Sequence, residues 1–75
     1  MREVLVGKKY RHFKGNIIEV IAIAKHTETL EEMVVYEELN DHQFWVRPMN
    51  MFLSKVDKEK YPNVEQTYRF EIIND

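Results

Sequence analysis

The stretch IIEVIAIA at residues 17–24 constrains this chain more than any other segment. Five of its eight residues are β-branched and both faces of the extended chain are largely apolar, which fits a strand buried in a sheet better than an amphipathic helix. A buried strand must find hydrogen-bonding neighbours on both sides, so the rest of the chain is read for strands that flank it.

Before it, residues 8–13 alternate large side chains and lead to Gly15-Asn16, a pair suited to a two-residue type II′ hairpin turn. That turn sets Lys14 opposite Ile17 and His12 opposite Glu19, whereas a one-residue change in the turn sets Arg11 opposite Glu19. Ala22 and Ala24, on the face of Ile18 and Val20, leave room for the central strand to bend. Residues 27–31 are polar, and Met33-Val34-Val35-Tyr36 reads as a third strand. A helix over residues 30–39 competes, because Leu30, Met33 and Val34 have helical spacing, but Glu37 and Glu38 fall where its apolar stripe has to continue.

Asn40-Asp41-His42 is a polar turn, and residues 44–47 alternate Phe44 and Val46 on one face, the expected core face, with Trp45 and Arg47 on the other. Pro48 suits the first position of a helical turn in which Met49, Phe52 and Leu53 share a side and plug an end of the core. Residues 54–63, with five charged side chains between Lys55 and Lys60, form a surface loop. Residues 66–73 alternate Tyr68, Phe70 and Ile72 against Thr67, Arg69 and Glu71, as a half-buried strand does. The expected fold is all-β, a small, strongly bent antiparallel barrel of about five strands with one short helical turn.

The size suits this. For 9.1 kDa the area scaling gives roughly 4,900 Å² folded against about 13,000 Å² unfolded, enough burial for one modest core. Residues 1–75 contain no linker-like stretch and no repeat, so a single domain is expected. Without cysteine there is no disulfide framework or thiolate zinc site. The apolar stretch after Met1-Arg2-Glu3 stops at Gly7, too short for a secretory leader or a membrane span, and the chain reads as cytoplasmic.

The ordered series Tyr10-Arg11-His12-Phe13-Lys14-Gly15-Asn16, Glu19-Val20, Ile23-Ala24-Lys25-His26, Glu28-Thr29, Glu31-Glu32, Val34-Val35-Tyr36, Trp45-Val46-Arg47-Pro48 and Met51-Phe52-Leu53 resembles an uncharacterised bacterial family, domain of unknown function sixteen-fifty-three. The likeness runs from about Gly7 to Val56, with Arg69-Phe70 similar to the family's usual ending. It implies an SH3-like barrel and brings no activity, cofactor or catalytic residue. The chain departs from the pattern between Leu39 and Trp45, where a glycine-bearing loop is expected and Asn40-Asp41-His42-Gln43 stands instead.

The net charge of −2 excludes a strongly basic nucleic-acid binder by composition, but not a local basic stripe. Lys8, Lys9, Arg11 and Lys14 interleave with Tyr10, His12 and Phe13, and no acid intervenes between Gly7 and Ile18. Such a hairpin either offers cations and rings to a nucleic-acid strand or protects a sheet edge with lysines. Trp45 with Arg47 makes a stacking surface beside a guanidinium fork, or else packs beneath the Met51-Phe52 turn. Glu28, Glu31, Glu32, Glu37, Glu38 and Asp41 make the opposite charge run, either a solvated face or a contact for a basic partner, a second copy included.

His12, His26 and His42 are too far apart to pair as metal ligands on one element. No nucleophile elbow and no phosphate-cradling glycine loop is present, so neither metal nor cofactor is expected. The favoured reading is a non-enzymatic binding module that contacts a polyanion such as nucleic acid, or an extended peptide, through Tyr10, Arg11, His12, Lys14, Trp45 and Arg47. Its alternatives are a small enzyme or small-ligand binder using His12 and Glu19, and a homo-oligomeric accessory domain.

Overall fold

The computed structural model describes residues 3–74. In chain order it forms β1 (Lys9–His12), β2 (Ile17–Lys25), β3 (Glu32–Glu38), β4 (Gln43–Pro48), α1 (Met49–Phe52) and β5 (Phe70–Ile72). All five strands belong to one antiparallel sheet in the order β4-β3-β2-β1-β5. The fold is all-β, and IIEVIAIA lies in its longest strand, two places in from either edge. The 30–39 segment is strand rather than helix, with Val34 and Tyr36 buried on the core side.

The first hairpin turns differently from the two-residue expectation. His12 N–H donates to Asn16 C=O at 2.9 Å and Gly15 N–H to His12 C=O at 2.8 Å, with Gly15 at φ +105°. This is a three-residue loop closed by a glycine bulge, and it moves the register to Lys9↔Glu19, Tyr10↔Ile18 and Arg11↔Ile17. The expected pairing of His12 with Glu19 is therefore overturned, and so is the Arg11 alternative. Lys9 faces Glu19, on the side of the sheet away from Tyr10 and His12.

A second irregularity lies in β2, where the β3 register shifts between Val20 and Ala22. The extra residue turns the rest of the strand over, so Ile23, paired with Val34, packs against the core while Ala22 pairs with the outward Val35. The bend comes from this bulge and not from small residues on the inner face. The sheet curls enough for its two edge strands to meet side chain to side chain, since Arg47 of β4 lies 5.5 Å from the ring centroid of Phe70 of β5.

Phe52 and Phe70 stack at the centre of the core, centroids 4.2 Å apart and planes 4° from parallel, with Tyr10 and Tyr36 against Phe52 at 5.4 and 5.9 Å. Helix α1 therefore plugs the open side of the sheet, as its spacing predicts, although Pro48 occupies the cap rather than the first helical position. Strand β5 is shorter than residues 66–73, because the Glu71 carboxylate accepts the N–H groups of Thr67 and Tyr68, each at 3.1 Å. The charged loop after α1 is exposed but anchored, with Val56 buried and its N–H donating to Thr67 C=O at 2.9 Å.

Candidate functional site

Pairing of Tyr36 with Trp45 and of Val34 with Arg47 fixes the orientation of β4. Tyr36 and Val34 point to the core, so Trp45 and Arg47 lie on the concave side. Phe44 and Val46, expected in the core, are on the outer face and are more than half exposed. The alternation holds but its polarity is reversed, because an edge strand overhanging a curled sheet buries little on either side. The indole remains 54% exposed at the rim of a concavity of about 370 Å³.

Four strands and two turns contribute to this concavity. Trp45, Tyr36 and Phe70 supply aromatic surface, His12 and Lys14 come from the β1 hairpin, and Arg47 crosses toward Phe70. Glu38, Asp41 and Asn16 close the far end. Asn16 Nδ2 donates to Glu38 Oε2, while Glu38 Oε1 is buried and accepts no hydrogen bond from the described residues. The Asp41 carboxylate is engaged by the N–H of Gln43 at 3.0 Å. The Arg47 side chain has neither an ion pair nor a hydrogen bond among the described residues, leaving its guanidinium fork uncommitted.

A second concavity of about 300 Å³ adjoins the first and shares His12, Lys14 and Arg47 with it. It adds Arg69, Lys60 and Tyr61, with Asp57 as its one carboxylate. Phe13 and Tyr61 pack at 4.9 Å, with the Lys14 ammonium over both rings and the Lys60 ammonium over Tyr61. Arg69 is oriented by Nε donating to Ser54 Oγ at 3.1 Å.

His12 joins the two concavities. Its Nδ1 accepts the Lys14 N–H at 3.2 Å, and its ring lies edge-on to Phe70 at 4.9 Å. Burial, together with the positive charges of Arg47, Arg69 and Lys14, lowers its pKa to about 4. With burial as the larger cause and the neighbouring cations the smaller one, the imidazole is neutral at physiological pH.

Of the residues singled out in the sequence, His12, Lys14, Trp45 and Arg47 therefore share one groove. Tyr10 does not join them. It is 2% exposed inside the core, its hydroxyl accepting the Leu5 N–H at 3.0 Å. Arg11 is exposed on the outer face, one residue out of phase with His12. Glu19 faces Glu37 of β3 on that outer side.

Arg69, Lys60, Tyr61, Asn16 and Glu38 also line the groove. An isolated tyrosine in a lysine-rich loop is the one hint that the sequence offers for Tyr61. His26 and His42 sit in turns, each away from His12, and no group of three metal-ligating side chains converges among the described residues.

The profile of a family described as protein of unknown function (DUF1653) matches residues 8–72. No curated protein and no solved structure is matched by the chain. No helix among the described residues is long and apolar enough to cross a membrane.

Proposed function

For this chain, which belongs to the DUF1653 family and so to a family without a described activity, we propose a non-enzymatic, cytoplasmic binding module for single-stranded nucleic acid. In this reading residues 1–75 are a single SH3-like barrel domain, the strand order and the meeting of β4 with β5 being its supports. The observation that carries it is the convergence of Lys14, Arg47 and Arg69 in the same groove as an exposed indole. Cations track phosphates, and a sequence-tolerant aromatic face stacks a base. An extended peptide would instead add to the free edge of β4, where Phe44 and Val46 are exposed outside the groove.

Trp45 is the only tryptophan, so its emission reports the site without a label. Titration with a short single-stranded oligonucleotide is expected to quench that emission saturably. Emission that stays unchanged up to millimolar oligonucleotide, with no binding by a second method, would overturn the proposal.

A further inference from the structure

We infer that the free edge of β4 pairs with the same edge of a second copy, antiparallel and centred on Trp45, so that two sheets join into one; this holds whatever the groove binds. The two edges of the sheet differ. Strand β5 is three residues long and carries Glu71 at its middle, as guarded edges do. Strand β4 is six residues long, and Phe44, Trp45 and Val46 at its centre are uncharged and each more than half exposed. Among the described residues no strand pairs with its far side. Such an edge is a template for a further strand.

The ladder determines which backbone groups that edge offers. Leu39 N–H donates to Ile17 C=O at 3.1 Å, so Leu39 bonds toward β2, and by alternation Glu38 and Tyr36 bond toward β4. Tyr36 therefore exchanges bonds with Trp45, and Phe44 and Val46 turn their N–H and C=O groups away from β3. Pro48, opposite Met33, has no N–H to exchange, which sets the same phase. The Phe44 C=O accepts the Gln43 side-chain amide at 3.2 Å, as a carbonyl left open by the ladder can.

A second copy matches this edge best in one register. With Trp45 on the two-fold axis, Phe44 of each chain lies opposite the partner's Val46 and exchanges both bonds with it, and an aromatic side chain meets a β-branched one on the outer face. Moving the axis to Phe44 sets Val46 opposite His42, whose N–H is already given to Glu38 C=O at 2.8 Å. Moving it to Val46 sets Phe44 opposite Pro48, which has no N–H. In the favoured register Arg47 faces the partner's Gln43, with the partner's Asp41 at the diagonal position, so charges complement rather than oppose. The two indoles stand side by side at the rims of the two grooves. The apolar surface covered is small, so the dimer is weak, with a dissociation constant on the order of 10–100 µM.

The test is sedimentation equilibrium of the intact chain from about 5 to 500 µM. The mass is expected to rise from the 9.1 kDa of one chain toward twice that value. Val46→Pro removes an N–H that faces away from β3, and Val46→Lys places a charge on the edge. Both are expected to keep the parent circular dichroism spectrum and to stay monomeric throughout. Cross-linking reads the register. The chain has no cysteine, and opposite residues that exchange no bonds lie about 4.5 Å apart between Cα atoms, within disulfide reach. Trp45→Cys is therefore expected to form an intermolecular disulfide under mild oxidation, whereas Phe44→Cys, facing the partner's Val46, is not. A parent chain that stays monomeric across the range overturns the inference. So does a dimer that survives both Val46 variants or leaves Trp45→Cys unlinked. A monomer that instead binds an extended apolar peptide, with binding lost in Val46→Pro, gives the edge to another protein's strand and overturns the second copy.

Discussion

At the scale of single residues, the groove separates what binds from what holds the fold. Trp45 is more than half exposed, so Trp45→Ala is expected to leave the melting temperature close to unchanged while weakening oligonucleotide binding by about 1–3 kcal/mol, the value of one stacked base, as read by fluorescence anisotropy. Equal loss of stability and binding would return Trp45 to a packing role. His12 gives a pH signature. Its folded pKa is lowered from 6.5 to about 4, so between those values the unfolded chain binds a proton that the folded chain refuses. The stability that neutral His12 contributes is full above about pH 6.5 and is lost as pH falls toward 4. Thermal melts of His12→Gln across that window are expected to show a flatter pH profile than the parent chain. An unaltered slope would mean that His12 titrates normally.

At the scale of elements, turn chemistry decides register, and register decides which side chains meet. Gly15 sits at φ +105° with no atom within 4 Å of the place an added methyl group would take, so Gly15→Ala meets only backbone strain and is expected to cost about 1–2 kcal/mol in urea unfolding. Leu30 is the converse case, 66% exposed at φ 63° in the β2–β3 turn. Leu30→Asn, which tolerates that conformation, is expected to stabilise by roughly 0.5–1 kcal/mol in the same assay. A gain from Gly15→Ala or a loss from Leu30→Asn would contradict the turn geometry. These turns also explain what can be read in advance. Strand positions follow from alternation and β-branching, and α1 from the spacing of Met49, Phe52 and Leu53. The His12 pairing fails because Gly-Asn serves a glycine bulge as readily as a type II′ turn. In the loop between Leu39 and Trp45, where a glycine is expected and none stands, His42 takes φ 59°, its Nδ1 held 2.7 Å from Glu37 Oε2. Nothing in the local pattern announces that a histidine takes the positive φ there.

At the scale of the whole molecule, a net charge of −2 conceals an uneven surface. Lys14, Arg47, Lys60 and Arg69 come from separate stretches of chain and meet only because the sheet curls and the loop of residues 54–69 is tied back over it. Half of the groove is legible in the sequence, since Lys14, Trp45 and Arg47 stand in recognisable patterns, and half is not, since Arg69 and Glu38 owe their places to long-range pairing. The bulge in β2 belongs to the same class, for it exchanges Ala22 with Ile23 on the core side without a glycine or proline to mark it. The most direct test of the groove as a phosphate-tracking surface is the dissociation constant of a single-stranded oligonucleotide measured at about 50 and 200 mM salt. Four phosphate contacts predict a slope near −2.8 in log–log form, or roughly fiftyfold weaker binding at the higher salt, reduced by one contact in Arg47→Ala. An affinity indifferent to salt, or a slope that Arg47→Ala leaves unchanged, would contradict the account.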